Sequence, residues 1–221
     1  MSYILHCKKP FKFSCVGWNM NNYDLTRYRV MRRLITNVKD KVILDIGAGE
    51  YPLSKAIPSK KTILLDGVKE FKPDILCDLN TEKIPLKKES VNMILAGEII
   101  EHLLNPLSFL RECNRILGKN GILILSTPNI CSLKNRFRVL FNKIPQNAAM
   151  PVNYRYEEDY SIQNHVSDFN LTVLKEILKK AGFKTLKKTC DGIFFRNTRI
   201  ISNKLIPASF GEKLIVKCQK R

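Results

Sequence analysis

Along the chain, short runs of consecutive apolar residues alternate with stretches in which apolar positions recur every three or four. Five runs stand out: KVILDIG (41–47), TILLD (62–66), DILCD (74–78), VNMILAG (91–97) and GILILST (121–127). A continuous apolar run of this length, closed by Gly or a polar residue, predicts a strand covered on both faces, as in a parallel sheet. Helical spacing occurs in 25–37, where Leu25, Tyr28, Met31, Leu34 and Ile35 share a face behind Asp24 as a cap. It returns in 98–118, where Asn105 and Pro106 can start a helix and Gly118 can stop it. In 170–182 Asn170 caps, Leu171, Leu174, Ile177 and Leu178 face inward, and Gly182 terminates. Two late strands, near 183–188 and 212–218, complete the set. Strands alternating with helices predict a doubly wound α/β sheet.

Residues 129–164 break this rhythm. They show no steady period and are punctuated by Pro145, Pro151 and several asparagines. The segment leaves the C-terminal edge of a sheet strand, where α/β folds bind ligands, so it is expected to be a lid-like insertion after strand 5. Its Tyr154, Tyr156 and Tyr160 pack either against a ligand or on the lid itself. With 221 residues, the chain suits one α/β domain over 1–221, in which 1–40 form an N-terminal segment and helix.

Composition bounds the function more than the fold. At 44% hydrophobic and 26% charged residues the chain is not of the disordered class. No apolar run reaches the roughly 18 residues of a membrane span, and Lys8, Lys9, Pro10 and Lys12 interrupt the apolar residues at the start. A cytoplasmic protein without a transmembrane segment is expected. Seven scattered cysteines without a CxxC pair fit reduced thiols rather than a disulfide framework. The net charge of +18, from 38 basic and 20 acidic residues, raises the local concentration of polyanions such as RNA, an anionic lipid surface or acidic substrates. The excess is diffuse and lacks a compact Arg-rich motif, so surface solvation accounts for most of it, with RNA left open as a partner.

The chemistry concentrates at strand ends. Asp45-Ile46-Gly47-Ala48-Gly49 closes the first run, and glycines there let the backbone turn tightly against a ligand with free amides ahead. A dinucleotide loop would need glycine at 52, where Pro52 stands, which disfavours a nicotinamide-dependent oxidoreductase. Asp66 closes the second run, where a carboxylate can accept both hydroxyls of a ribose, and Asp78 closes the third before Leu79. Singly, each Asp reads as a strand-end cap; their order and spacing argue for more.

This pattern resembles the class I S-adenosylmethionine-dependent methyltransferases. The likeness continues through VNMILAGEIIEHL (91–103), RILGKNGILILSTPN (115–129) and HVSDFNLTVLKEILKKAGF (165–183), and covers roughly residues 40–190. It is similar to the branch that includes ubiquinone-pathway O-methyltransferases and many small-molecule and glycan methyltransferases. The resemblance implies a Rossmann-like sheet of seven strands with the last antiparallel. It also implies S-adenosyl-L-methionine held at Asp45, Gly47, Gly49, Asp66, Asp78 and Leu79. Tyr51-Pro52 departs from the small residue common in the family.

A second constellation is Glu98-Ile99-Ile100-Glu101-His102. On a helix, positions i, i+3 and i+4 share a face, which would turn Glu98, Glu101 and His102 together into the cleft. Carboxylates with an imidazole suit Mg, Mn, Fe or Zn. The ExxEH pattern is similar to the metal site of small-RNA 3′-end methyltransferases, in which a downstream histidine joins; His165 lies in the corresponding segment. The competing reading is an EH pair without metal, with His102 as general base or substrate-positioning group and Glu98 beside it. The expected function is O-methylation of a small molecule or glycan. The alternatives are an RNA methyltransferase with a metal-assisted ExxEH site and a non-catalytic S-adenosylmethionine-binding module.

Overall fold

The computed structural model describes residues 22–55, 57–149, 165–195 and 198–221. Tyr154, Tyr156 and Tyr160, Cys7, Cys15 and most of the N-terminal segment lie outside the described residues.

The five apolar runs become parallel strands, the central ones covered on both faces. They are β1 (Val42–Ile46), β2 (Lys61–Asp66), β3 (Ile75–Leu76), β4 (Val91–Gly97) and β5 (Leu117–Pro128). With β6 (Phe183–Cys190) and β9 (Lys213–Lys220) they form one seven-stranded sheet in the order β3-β2-β1-β4-β5-β9-β6. β9, the last strand of the chain, runs antiparallel between β5 and β6. The expected Rossmann-like sheet is thus the observed one.

Alternate residues supply two cores. Ile43, Met93, Leu95, Ile124 and Ile215 point to α1 (Asn22–Leu34) and meet its Val30, Met31 and Leu34. Leu44, Ile46, Ile94, Ala96, Leu123, Leu125, Leu214 and Val216 point the other way. They join Phe109, Leu110, Cys113 and Ile116 of α2 (Pro106–Ile116) and Leu174 and Leu178 of α4 (Leu171–Lys180). Each fully buried Leu or Ile contributes about 1.5–3 kcal/mol of hydrophobic free energy, so strand identity is over-determined.

Several expected boundaries shift. α1 runs from Asn22 to Leu34, so Asp24 lies inside the first turn instead of capping it. β3 shrinks to two residues at the sheet edge. Asn105 does cap α2, its Oδ1 accepting from the Ser108 N–H at 3.0 Å ahead of Pro106. Gly118 does not stop the helix: Leu117 pairs with Val91 and the chain enters β5 directly. Asn170 caps α4 through the Val173 N–H at 2.9 Å, and Gly182, at φ +85°, ends it as expected. Two elements were not foreseen: α3 (Leu133–Leu140), within the lid-like segment, and an antiparallel hairpin of β7 (Gly192–Phe195) and β8 (Thr198–Ser202). Cys77, Cys113, Cys131, Cys190 and Cys218 are all free thiols. Among the described residues, no helix is long and apolar enough to cross a membrane.

The sheet order reverses between β1 and β4, and doubly wound sheets bind ligands in the crevice outside the C-terminal ends of the strands at such a reversal. Register brings Ile46, Asp66, Gly97 and Ser126 to that edge, and Lys213 joins them because β9 starts opposite Pro128.

Candidate functional site

β1 ends in two glycines that the backbone requires. Gly47 sits at φ +67° with its N–H on Leu65 O at 2.9 Å, and a Cβ there would fall 2.0 Å from Ile99 Cδ1. Gly49, at φ +54°, faces open space: its Cβ would meet only Gly47 O, at 4.0 Å. One glycine is compelled by packing, and the other leaves a gap beside the sheet edge.

Asp45 lies beneath this turn, 1% exposed, with Oδ2 accepting from both the N–H and the hydroxyl of Ser54 at 2.7 Å. It staples the far end of the loop to β1. Burial pushes its carboxyl up to about 6, against the Ser54 hydrogen bonds and the Arg27 charge. Asp66 holds the near end: Oδ2 accepts from the Gly49 N–H at 2.9 Å and Oδ1 from the Val68 N–H at 3.0 Å. Burial raises its pKa too, opposed by those amides. Each oxygen keeps a further lone pair, so the carboxylate can accept additional hydroxyls. Cys77 N–H donates to Asp66 O at 3.0 Å, which brings the end of β3 alongside. There Asp78 is exposed and accepts from the Asn80 N–H and the Thr81 hydroxyl, while Leu79 packs against the core. The site therefore offers a left-handed glycine turn, a carboxylate and an exposed acidic corner in series along one edge. Backbone turn and hydrogen-bond acceptors thus follow one another along the C-terminal ends of β1 to β3.

Beyond β4 the chain does not form the α-helix expected for the ExxEH segment. Glu98 adopts φ +58°, its N–H bonded to Ser126 O at 3.0 Å, and Ile99 turns under Gly47. Only then does a buried 3-10 turn, Ile100–His102, begin. The left-handed step sends the two glutamates to different partners. The Glu98 carboxylate pairs with the Lys213 ammonium and accepts from the Ser126 hydroxyl at 2.9 Å. Burial by itself would raise the Glu98 pKa, but the Lys213 and Arg27 charges and these hydrogen bonds bring it below the usual range.

Glu101 goes inward. Its Oε2 accepts from the Thr127 hydroxyl at 2.9 Å, while Oε1 is buried without a hydrogen-bond partner. Burial first, and the Glu98 charge second, push this carboxyl up to about 8. His102 Nε2 lies 3.9 Å from Oε1. The N–H groups of Val166 and Ser167 both donate to Glu101 O, and this anchor delivers His165, whose ring centroid is 4.9 Å from that of His102. His165 Nδ1 is 2.7 Å from Asn147 O. A carbonyl only accepts, so Nδ1 donates in this bond and Nε2 is the ring nitrogen left to face the cluster.

One donor atom from each of Glu101, His102 and His165 lies within 4.8 Å of the others. An orphaned buried oxygen beside two imidazoles fits a divalent cation, and equally a proton relay. Glu98, the fourth expected member, is held apart by Lys213. Lys213, Ser126 and Thr127 were missed from the sequence. Their signal was present, two hydroxyl residues closing an otherwise apolar strand and a lysine opening the strand that pairs with it.

A family model described as a methyltransferase domain matches residues 21–188. The chain is 30% identical over 122 residues to a protein of Mycobacterium tuberculosis (strain CDC 1551 / Oshkosh) named a probable S-adenosylmethionine-dependent methyltransferase, covering 50% of this chain and 44% of that protein. A similarly named protein of Mycolicibacterium smegmatis is 29% identical over 179 residues, covering 76% of this chain and 62% of its own length. The chain thus spans about half to three fifths of these relatives. Among solved structures, an S-adenosylmethionine-dependent methyltransferase of Thermotoga maritima superposes with a TM-score of 0.64 at 19% identity, covering 90% of this chain and 89% of its own.

Proposed function

We propose a function that starts from the family: the chain belongs to the class I S-adenosylmethionine-dependent methyltransferases, and its acceptor is a hydroxyl oxygen of a small molecule or glycan, as in the ubiquinone-pathway-like branch. What supports oxygen as the acceptor atom is the unpartnered Glu101 oxygen beside His102 and His165 at the cleft edge. A hydroxyl must lose its proton as it attacks, and an imidazole next to a carboxyl raised toward neutrality can take it.

The cofactor, when bound, supplies an activated methyl carbon. The protein has chiefly to align donor with acceptor, worth about 7–11 kcal/mol when placement is good. In this reading the Gly47–Gly49 turn receives the cofactor, and Asp66 accepts the ribose hydroxyls with the lone pairs that Gly49 and Val68 leave. Asp78 and Leu79 meet the adenine, and Asp45 keeps the turn in place. His102 removes the acceptor proton, and Glu101 stabilises the charge that results. Glu101, His102 and His165 also suit a divalent cation of the Mg, Mn, Fe or Zn class, which would supply Lewis-acid activation of the acceptor hydroxyl. Glu98, fixed by Lys213, sets the field in which Glu101 titrates.

The test is adenosylhomocysteine formation across a panel of hydroxylated small molecules and glycans. His102→Ala is expected to lower turnover by about 10²–10⁴-fold while adenosylmethionine affinity changes little. Full turnover in that variant would remove His102 from the chemistry. Chelation that abolishes turnover, with recovery on adding one divalent metal, would assign the cation; indifference to chelation would leave the proton relay. A second reading, methylation of an RNA end, is favoured by the net charge of +18 together with the same cluster. It requires RNA affinity that falls steeply with added salt.

A further inference from the structure

The outer face of α3 plays no part in the site described above. Ser132 caps this helix, its hydroxyl accepting from the Asn135 N–H at 3.3 Å. Asn135, 4% exposed, fixes the helix's rotation: Nδ2 donates to Asn129 O and Gln146 O, and Oδ1 accepts from the Gln146 N–H at 2.7 Å. With Asn135 inward and about 100° per residue, positions 137, 140 and 141 must face away from the protein. They are Phe137, Leu140 and Phe141, 54%, 74% and 70% exposed, and Ile144 follows at 43%. A helix of a soluble protein normally turns its polar face out. This one turns apolar residues out, with Asn135 inward, and Val139 one turn beyond Asn135 is 58% exposed as well.

The flanks are cationic. Arg136 lies on one side of the stripe, its Nε donating to Cys131 O and its guanidinium over the Phe210 ring; Lys134 and Arg138 lie on the other, Arg138 Nε donating to Ile144 O; Lys143 follows, and 129–147 contain no acidic residue. An outward apolar stripe between basic borders is the pattern of a helix that lies in a membrane interface. We propose that α3 docks the protein on an anionic lipid bilayer, with Phe137, Leu140, Phe141 and Ile144 entering below the headgroups and the basic side chains meeting lipid phosphates. Charge complementarity selects this occupant, because the border is basic on a chain of net +18. A second copy of so basic a face would repel the first. Docking would set the end of β5 close to the bilayer, because Asn129 joins the strand to the helix through Asn135. The proposal does not depend on which acceptor is methylated.

Co-sedimentation of the full chain with vesicles tests it. Vesicles of phosphatidylcholine and phosphatidylglycerol mixed three to one should bind the protein at least tenfold more tightly than phosphatidylcholine alone, and added salt should weaken the binding. The double variant Leu140→Glu, Phe141→Glu alters only exposed side chains, so it should keep the wild-type unfolding temperature and adenosylmethionine affinity while losing tenfold or more in vesicle affinity. Failure of the wild type to bind anionic vesicles, or equal binding by the double variant, overturns the proposal. Sedimentation velocity covers the remaining outcome: a wild-type dimer that the variant makes monomeric, with no vesicle binding by either, would assign the face to self-association and also overturn it.

Discussion

At the scale of single residues, burial of charge decides what each group can do. Glu98 and Lys213 are a paired charge at the cleft edge, and removing one partner of such a pair leaves the other desolvated. Lys213→Met should therefore destabilise the fold by about 3–5 kcal/mol, read as a lower urea midpoint. The double variant with Glu98→Gln should recover most of that loss; a double variant no more stable than Lys213→Met would show that the pair is not the cause. Asp191 is a different case. It is fully buried, with Oδ1 accepting from the Lys213 N–H and Oδ2 unpartnered, and burial pushes its carboxyl up to about 7 from 3.8. Between those values the folded chain keeps a proton that the unfolded chain has lost. Stability is therefore greatest below the lower value and falls as pH rises toward 7, by about 4 kcal/mol for a shift of this size. Asp191→Asn should flatten this part of the dependence of unfolding temperature on pH between 5 and 7.5. An unchanged slope would assign the effect to other groups. Asp191 was not legible in the sequence, because nothing in an aspartate near a strand end says which strands will flank it.

At the scale of elements, what the apolar pattern could and could not show has a physical reason. The central parallel strands β1, β4 and β5 were legible because they are covered on both faces, so their runs are almost wholly apolar. The strand ends were legible as well, since Gly47, Gly49 and Asp66 mark where such runs stop. The hairpin of β7 and β8 was not, because it is short and leaves Phe195 and Ile200 exposed. α3 was missed although Phe137, Leu140, Phe141 and Ile144 stand at helical spacing, because the helix is only eight residues long and is followed at once by Pro145 and asparagines. Glu101, His102 and His165 do come together, but on a geometry other than the α-helix expected for the ExxEH segment. The left-handed Glu98 and the packing of Ile99 under Gly47 replace an α-helical turn, and spacing along the chain does not report a backbone reversal. Asn105 and Asn170 were readable as caps because their chemistry is local, whereas Asp24 was not the cap expected. Asn105→Ala should cost about 1 kcal/mol, seen as an unfolding temperature lower by about 2–4 °C for a chain of this size; no change would mean that Pro106 alone sets the start of α2.

At the scale of the whole molecule, the sheet order places its reversal between β1 and β4, and everything assigned to chemistry lies at that crevice. The first strand ends in the glycine turn, the second in Asp66, the fourth in Glu98, the fifth in Ser126 and Thr127, and the antiparallel β9 brings Lys213 back to them. The account stands on that crevice binding a sulfonium nucleoside. Calorimetric titration of the purified chain with S-adenosylmethionine tests this most directly, alongside Asp66→Ala. One saturable site is expected in the wild type, with affinity lower by about 10- to 100-fold in the variant, as loss of a charge-assisted hydrogen bond worth about 1.5–3 kcal/mol implies. No binding by the wild type, or equal binding by both proteins, would contradict the assignment of the crevice to this cofactor.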